Sequence, residues 1–261
     1  MNRNEMIDAY LARLELAGMD RRPTLENLCA LQRAHLYHVP YENLDVMRGV
    51  PLSLETEDLF RKIVLNRRGG YCFELNGLFS WLLRELGYGV TGYAARFLRS
   101  AGDTLPMRGH QVMRVQPMDC EDAYLADAAT GCGSPDMPIC LKEGALVTQL
   151  TGRYRMTRHP DRSWLLQEWR EERWQRLYQF SEEPQLPIDY QVASYYCEHA
   201  PQSTARQKWI VNLRTRNGRY TVDGDQFKHF SGDQVEVIVP RSEAERDRLL
   251  REWFGIVLDR A

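Results

Sequence analysis

The stretch RRGGYCFELNGLFSWLLREL, residues 67–86, joins a two-glycine entry to the most regular helical pattern of the chain. Its large apolar residues recur at spacings of 3, 1, 3, 1 and 3, and they are Leu75, Leu78, Phe79, Leu82, Leu83 and Leu86. These spacings place the six side chains on one face of an α-helix, and so apolar a face has to be buried. The stretch therefore predicts a core helix that begins near Cys72.

The rest of the first 87 residues also follows a helical period. Three more helices are predicted there: one capped by Asn4, one from an N-cap at Thr24 to Pro40, and one from Ser53 or Thr56 through Leu65. Pro40 ends its helix because the residue before a proline avoids the α region. The N-terminal third of the chain is therefore predicted to be a helical bundle.

After residue 88 the apolar period changes to two, which is typical of strands with one buried face. The predicted strands cover 90–98, 111–116, 123–128, 145–150, 154–159, 163–168, 172–180, 208–215, 219–222 and 234–239. Short helices are predicted at 188–198 and 242–254. Many short strands in sequence favour an antiparallel barrel or sandwich. The fold class is therefore α+β, with helices at 1–87, a β domain at 88–185 and a small α/β part at 186–261.

Composition and charge exclude several classes of protein. Lys and Arg (34) nearly cancel Asp and Glu (36), so the net charge of −2 gives no reason to expect a nucleic-acid or membrane-surface partner. The six cysteines include no Cys-x-x-Cys pair, which predicts reduced thiols and no structural zinc. The first residues lack the apolar core of a signal peptide, and we expect a cytoplasmic protein.

Cys72 is the first candidate for chemistry because it stands at the predicted start of the core helix. Unpaired N–H groups and the positive end of the helix dipole favour a thiolate over a thiol at that place. Gly69 and Gly70 allow a tight backbone entry, and Arg67 and Arg68 add positive charge. The alternative is an inert core cysteine at the start of a buried helix.

A thiolate nucleophile needs a base, and the base needs a group that holds its tautomer. Of the six histidines, His110 begins a predicted strand whose return partner can be derived. A hairpin that turns between Met118 and Asp119 places Asp127 directly opposite His110, with both side chains on the same face. We therefore predict that Asp127 orients His110 and that Cys72 is the third member. An ordinary surface pair of histidine and aspartate is the alternative.

These residues lie in runs that resemble the arylamine N-acetyltransferases, acetyl-CoA-dependent enzymes with a Cys-His-Asp triad. The resemblance extends along most of the chain, and its Arg-Gly-Gly-x-Cys-x-Glu-x-Asn run is specific. The matching runs are Leu31-Gln32-x-x-His35-x-x-x-Val39-Pro40-Tyr41-Glu42-Asn43-Leu44, Arg68-Gly69-Gly70-Tyr71-Cys72-Phe73-Glu74-Leu75-Asn76, Gly109-His110-Gln111-Val112, Tyr124-Leu125-Ala126-Asp127 and Pro135-x-x-Pro138.

The resemblance implies the family's fold: a helical bundle, a central antiparallel β-barrel and an α/β lid, with the triad arranged as in cysteine proteinases. It implies a ping-pong reaction in which Cys72 is the nucleophile, His110 its base and Asp127 the orienting carboxylate. Cys72 takes an acetyl group from acetyl-CoA and passes it to the nitrogen of an arylamine or arylhydrazine. The resemblance implies acetyl-CoA as a co-substrate, and no metal, nucleic-acid or membrane partner.

Departures from the family's pattern fall around the expected substrate sites. Thr130 replaces an aromatic residue that lines the acceptor site in the family, and Ala129 replaces a glycine. Tyr41 replaces a phenylalanine, and Ala205 replaces the phenylalanine of a Pro-x-Ser-x-Phe run. By resemblance, Tyr41 and Thr130 are expected to contact the acceptor, and Gly131 and Ser203 to contact CoA.

Three other functions are compatible with parts of the pattern. An amide synthase or another acyl-CoA-dependent acyltransferase would keep the triad and change the substrates. A papain-like or transglutaminase-like hydrolase also has Cys, His and Asp in this order, although the Arg-Gly-Gly-x-Cys run argues against it. A binding module that keeps only the fold is the third alternative.

Overall fold

The computed structural model describes residues 1–99, 104–131 and 133–258, so the thiol predicted at Cys132 lies outside the described residues. The described helices are α1 (Arg3–Arg13), α2 (Leu25–His38), α3 (Leu44–Arg48), α4 (Thr56–Phe60), α5 (Cys72–Glu85), α6 (Tyr190–His199) and α7 (Glu243–Phe254). A π-helical turn, Arg61–Leu65, continues α4, and 3₁₀ turns cover Pro187–Asp189 and Thr204–Arg206. None of the helices in the described ranges has both the length and the apolar character that a membrane crossing requires.

Helix ends follow local signals in the sequence. The side chain of Thr24 accepts a hydrogen bond from the Asn27 N–H and caps α2, as predicted. The cap of α1 is Asn2 and not the predicted Asn4. Asn2 accepts from the Glu5 N–H, and the Glu5 carboxylate accepts in return from the Asn2 N–H. Because this capping box satisfies two free N–H groups, it moves the start of α1 two residues earlier.

The predicted core helix is α5, and its apolar face is buried as expected. Leu75, Leu78, Phe79, Leu82 and Leu83 are at most 1% exposed, and they belong to the largest hydrophobic cluster of the described residues. Burial of one such side chain contributes roughly 1.5–3 kcal/mol. The position of α5, and with it that of Cys72 at its first residue, is therefore held by the core.

The described strands are β1 (Tyr41–Glu42), β2 (Gly89–Phe97), β3 (His110–Gln116), β4 (Tyr124–Ala126), β5 (Ile139–Cys140), β6 (Leu146–Gln149), β7 (Gly152–Arg158), β8 (Trp164–Arg170), β9 (Arg173–Gln185), β10 (Ile210–Thr215), β11 (Gly218–Asp223), β12 (Gln226–Ser231) and β13 (Gln234–Ile238). The ten predicted strands are confirmed with shifted ends. The sequence did not predict β1, β5 and β12. Two of these have only two residues, too few for an alternating pattern, and β12 buries only Phe227.

Strands β2–β9 form an antiparallel sheet in the order β5-β4-β3-β2-β9-β8-β7-β6, which nearly closes into a barrel. The predicted α+β class with a central barrel is therefore confirmed. Gln149, the last residue of β6, reaches across to the segment before β5. Its side-chain amide accepts from the Met137 N–H and donates to the Met137 carbonyl, each at 3.0 Å. The Gln149 side chain thus makes the two hydrogen bonds to the Met137 backbone that a neighbouring strand would otherwise make.

Strand β1 joins β10–β13 in a second antiparallel sheet, and α7 packs against it. Tyr41 of β1 lies opposite Asn212 of β10. A strand from the N-terminal part of the chain thus completes the C-terminal sheet. The division into parts at 1–87, 88–185 and 186–261 stays a prediction.

The β3–β4 hairpin differs from the predicted register. Met113 pairs with Ala126 and Arg114 with Leu125, so Asp127 is not directly opposite His110. The predicted register is wrong by two residues along one strand. Because side chains alternate with a period of two, this error leaves Asp127 on the same face as His110. The two residues meet diagonally instead of as a direct pair.

Candidate active site

Cys72 is the first residue of α5, and only 6% of it is exposed. The chain reaches it through Gly69 and Gly70, and neither position has room for a side chain. A Cβ on Gly69 would overlap the Pro40 carbonyl oxygen, and one on Gly70 would lie 2.8 Å from the Glu74 Cβ. The two glycines are therefore required by close backbone approach. They place the thiol beside the free N–H groups of the first helical turn.

A buried network of charges holds the segment that precedes Cys72. Arg68 Nη2 lies 2.8 Å from Glu42 Oε1 and 2.8 Å from Asp45 Oδ1. Lys62 Nζ lies 2.8 Å from Asp45 Oδ2 and 2.6 Å from Glu74 Oε1. Because two carboxylates compensate its charge, Arg68 does not supply the free positive charge that the sequence suggested. It ties the glycine entry to β1 and α3 instead.

His110 begins β3, Asp127 follows β4, and both side chains are buried. The His110 Nε2 lies 2.7 Å from the Asp127 Oδ2, which leaves Nδ1 for Cys72. Cys72 lies close enough to the imidazole to raise its pKa, and the Cys72 Sγ lies 3.5 Å from the Gly109 carbonyl oxygen. The structure thus brings together the three residues that the sequence singled out. Their catalytic roles remain a prediction.

The His110 imidazole has a strongly perturbed pKa. Burial alone would lower the pKa because it disfavours the charged ring. The Asp127 carboxylate, and the contact with Cys72, outweigh this and raise the pKa to about 10. The rings of Phe97 and Tyr178, with centroids 5.9 and 5.6 Å from that of His110, pack around it. The imidazolium is therefore the favoured form at neutral pH.

Asn76 holds Asp127 and was assigned no role from the sequence. Its Nδ2 donates to Asp127 Oδ1 at 2.9 Å and to the Gln111 carbonyl at 2.7 Å. Its Oδ1 accepts from the Ala128 N–H at 2.9 Å. Asn76 lies four residues after Cys72, so both project from the same side of α5. That spacing within the quoted run was the signal that could have identified it.

Two further side chains fix the Asp127 segment. Gln32 of α2 accepts from the Asp127 N–H at 3.1 Å. Burial and the adjacent Asp127 carboxylate raise the pKa of the Tyr178 hydroxyl on β9. Gln32 belongs to one of the runs that resemble the family, but the sequence suggested no role for it. No sequence pattern indicated a role for Tyr178. Asp127 therefore has hydrogen-bond partners from α2, α5 and β3, and its orientation is determined by all three.

Of the residues expected to contact substrates, Tyr41 and Gly131 lie close together. Tyr41 pairs with Asn212, and a Cβ on Gly131 would lie 3.1 Å from the Asn212 side-chain nitrogen. Burial and the nearby Cys72 raise the pKa of the Tyr41 hydroxyl, which places this ring near the nucleophile candidate. The hydroxyl of Thr130 is buried and has no hydrogen-bond partner among the described residues.

Ser203 is engaged in local structure. Its hydroxyl donates to the Cys197 carbonyl at 2.7 Å and accepts from the Ala205 N–H at 3.3 Å. Ser203 is 6% exposed and caps the 3₁₀ turn that follows it. Its expected contact with CoA stays a prediction. The described residues contain no cluster of three or more His, Cys, Asp or Glu side chains that could hold a metal ion.

All the comparisons with known proteins match N-acetyltransferases. A family model described as N-acetyltransferase matches residues 24–261. An arylamine N-acetyltransferase of Mycolicibacterium smegmatis is 38% identical over 97% of this chain and 92% of its own length. The structure of an arylamine N-acetyltransferase from Salmonella typhimurium superposes with a TM-score of 0.90 at 30% identity, covering 98% of this chain and 93% of that one. That of Mycobacterium marinum, in complex with CoA, superposes with a TM-score of 0.87 at 31% identity, covering 96% and 92%.

Proposed function

Because this chain belongs to the arylamine N-acetyltransferase family, we propose that it transfers an acetyl group from acetyl-CoA to the nitrogen of an arylamine or arylhydrazine through a thioester on Cys72. The observation that carries this proposal is the buried Cys72 thiol at the start of α5, beside an imidazole that Asp127 holds at 2.7 Å. We further propose that it acts in the cytoplasm.

In the first half-reaction the Cys72 thiolate attacks the carbonyl carbon of the thioester. A new S–C bond forms, the bond to the CoA sulfur breaks, and the His110 imidazolium gives its proton to the departing CoA thiolate. The free N–H groups at the first turn of α5 are placed to stabilise the oxyanion that develops on the carbonyl. The products of this step are free CoA, acetyl-Cys72 and a neutral imidazole.

In the second half-reaction the amine nitrogen attacks the acetyl carbon of acetyl-Cys72. The neutral His110 takes a proton from that nitrogen, the S–C bond breaks, and the thiolate–imidazolium pair is restored. The Asp127 carboxylate stabilises the imidazolium. The raised pKa of His110 supports this cycle, because it keeps the imidazole protonated beside the thiolate until acetyl-CoA binds.

We propose that Tyr41 and Thr130 contact the acceptor and that Gly131 contacts CoA near the thioester. Support comes from the shared contact of Tyr41 and Gly131 with Asn212, and from the buried, unpartnered hydroxyl of Thr130. Ser203 is proposed as a CoA contact through its backbone, because its hydroxyl already has two partners.

Incubation with acetyl-CoA and no acceptor is expected to give one acetyl group per chain, located on Cys72 by peptide mass spectrometry. Addition of an arylamine or hydrazine is expected to remove the group and yield the acetylated amine. Stoichiometric release of CoA before the acceptor is added provides a second readout. Acetyl-CoA turnover with no Cys72 adduct would refute the ping-pong route. A Cys72 adduct from a longer acyl-CoA but none from acetyl-CoA would favour the alternative of another acyltransferase.

The variant Thr130→Phe is expected to change acceptor selection, because a large ring would fill space beside the acceptor that threonine leaves open. We expect the ratio of kcat/KM between a bulky and a small arylamine to fall about tenfold. Thr130→Val is the matched control for the hydroxyl, since it keeps the shape and removes an unpartnered polar group. Acceptor profiles of the phenylalanine variant identical to those of the wild type would contradict the assignment.

A further inference from the structure

Strand β13 is an open edge of the C-terminal sheet, whose strand order is β1-β10-β11-β12-β13. It pairs with β12 on one side, and the register from Ser231–Gln234 to Phe227–Ile238 is unbroken. An edge strand carries a row of backbone N–H and C=O groups that no neighbouring strand satisfies. Such edges are usually protected by a lysine, a proline or a β-bulge, and β13 contains none of these.

One face of this edge is apolar and exposed to solvent. Val235, Val237 and Val239 are 51%, 52% and 51% exposed. Ile238 packs with the hydrophobic cluster to which α7 contributes. Because side chains alternate along a strand, the three valines form a stripe on the face that α7 leaves uncovered. An apolar stripe on an open edge is typical of a strand that pairs with another chain.

The backbone groups of the same three valines point toward the open edge. The turn between β12 and β13 has two residues, so the pair next to it, Ser231 and Gln234, is the hydrogen-bonded kind. Hydrogen bonding alternates along an antiparallel ladder, so every second residue from Gln234 onward bonds to β12. The N–H and C=O groups of the valines between them therefore point away from β12 and can accept a further strand.

A second copy of the chain fits this edge in an antiparallel register with a two-fold axis at Val237. Val237 then lies opposite the partner's Val237, and Val235 lies opposite the partner's Val239. The valines of both copies share one face, and their outward backbone groups meet in hydrogen-bonded pairs. Continued past β13, the same register places Arg241 of each copy opposite the partner's Asp233.

Charge favours this register over its neighbours. Asp233 and Arg241 are exposed, and neither side chain has an ion-pair partner in the part of the chain that the structure describes. Opposite charges that meet across an interface help to fix its register. An axis at Glu236 would place Glu236 opposite its own copy, and an axis at Ile238 would place Asp233 opposite the partner's Glu243. Both alternatives bring like charges together, which is destabilising.

We propose that two copies of this chain associate by antiparallel pairing of β13, which joins their two five-stranded C-terminal sheets into one continuous sheet. The valine stripe supplies the apolar contact, the open edge supplies the hydrogen bonds, and Asp233 and Arg241 set the register. The inference involves no residue of the triad and is independent of the proposed function. Because one strand edge buries less area than a standard protein interface, the dimer is expected to dissociate on dilution.

Sedimentation velocity of the full chain over a wide range of concentration is expected to show a monomer–dimer equilibrium. Val237→Lys places like charges at the axis and is expected to raise the dimer dissociation constant about 100-fold or more. Val257→Lys, at a valine that is 53% exposed and lies after α7, is the matched control and is expected to behave as the wild type. A wild type that stays monomeric at every concentration, or a dimer that persists in Val237→Lys, would overturn the proposal.

Exchange of the two charged residues tests the register without altering the valines. Asp233→Arg alone and Arg241→Asp alone are each expected to raise the dissociation constant about tenfold, because each brings like charges together at both ends of the interface. The double variant Asp233→Arg/Arg241→Asp is expected to return it to within about threefold of the wild type. An equal loss in the single and double variants, or no loss in any of them, would contradict the register and with it the proposal.

A cysteine at the axis gives a positional test. Directly opposed residues of a hydrogen-bonded pair have Cα atoms about 5.5 Å apart, a separation that a disulfide can bridge. Val237→Cys is therefore expected to form a cross-linked dimer on mild oxidation, with the bond located at position 237 by peptide mass spectrometry. In Val235→Cys the two introduced thiols would lie about 13 Å apart along the strands, and no such bond is expected. Cross-linking of both variants alike, or of neither, would overturn the proposed pairing.

Discussion

Replacing Cys72 by serine is expected to abolish the acetyl adduct and to lower kcat/KM by about 10⁴-fold or more. The N-terminal turn of α5 and the His110 imidazolium favour a thiolate at this position. A serine hydroxyl is a far weaker acid than a thiol, so the same surroundings do not produce a nucleophile. Steady-state kinetics with acetyl-CoA and an arylamine, together with intact mass after donor alone, measure the two effects.

Cys197 provides the matched control for this prediction. It lies on α6, and burial together with the nearby Cys72 raises its pKa to about 12, so it stays a neutral thiol. The variant Cys197→Ser is expected to retain activity within about threefold, since it removes no charge from the site. Retention of substantial activity in Cys72→Ser, or its loss only in Cys197→Ser, would show that the nucleophile had been misassigned.

The variant Asp127→Asn is expected to lower kcat/KM by about 10³–10⁴-fold with little change in fold. In the wild type the carboxylate raises the pKa of His110 to about 10 against the effect of burial. An amide at this position removes the opposing charge, so burial then dominates and lowers the pKa below the ordinary value near 6.5. The imidazole is then neutral at pH 7, and the Cys72 thiolate loses its partner.

The pH profile of thiol alkylation by iodoacetamide tests this reasoning directly. The wild-type rate is expected to change little from neutral pH upward, because the His110 imidazolium persists up to its raised pKa of about 10. In Asp127→Asn the rate is expected to rise steadily with pH over the same range, because a neutral imidazole no longer stabilises the thiolate. Asp122→Asn removes an exposed carboxylate from the same hairpin and is expected to leave the wild-type profile. A flat profile in Asp127→Asn would contradict the role of the carboxylate.

The same pair makes a pH-dependent contribution to stability. Because the pKa of His110 is higher in the folded than in the unfolded protein, the contribution is fully present below about pH 6.5 and is lost as the pH rises toward about 10. Denaturant unfolding of the wild type is therefore expected to show a free energy that declines over this range. The Asp127→Asn variant should not show this decline.

Local signals in the sequence were sufficient for the features that depend on neighbouring residues. The Thr24 cap, the end of α2 before Pro40 and the buried face of α5 all follow from interactions within one or two turns. The thiol at the start of α5 belongs to this group, because the two glycines and the helix terminus are adjacent in the chain. The contact between His110 and Asp127 could also be predicted from the sequence. The predicted hairpin register was wrong by two residues, and a shift of two keeps both side chains on the same face.

The contacts that only the tertiary structure decided join residues far apart in the chain. Asn76 and Gln32 hold Asp127 across 51 and 95 positions, and Arg214 reaches Ser134 across 80. No local period encodes such contacts, because each depends on which helix and strand faces pack together. The hydrogen bonds of Gln149 across the barrel seam are of the same kind. The sequence alone therefore determined the reacting groups and their elements, while packing determined how Asp127 is oriented.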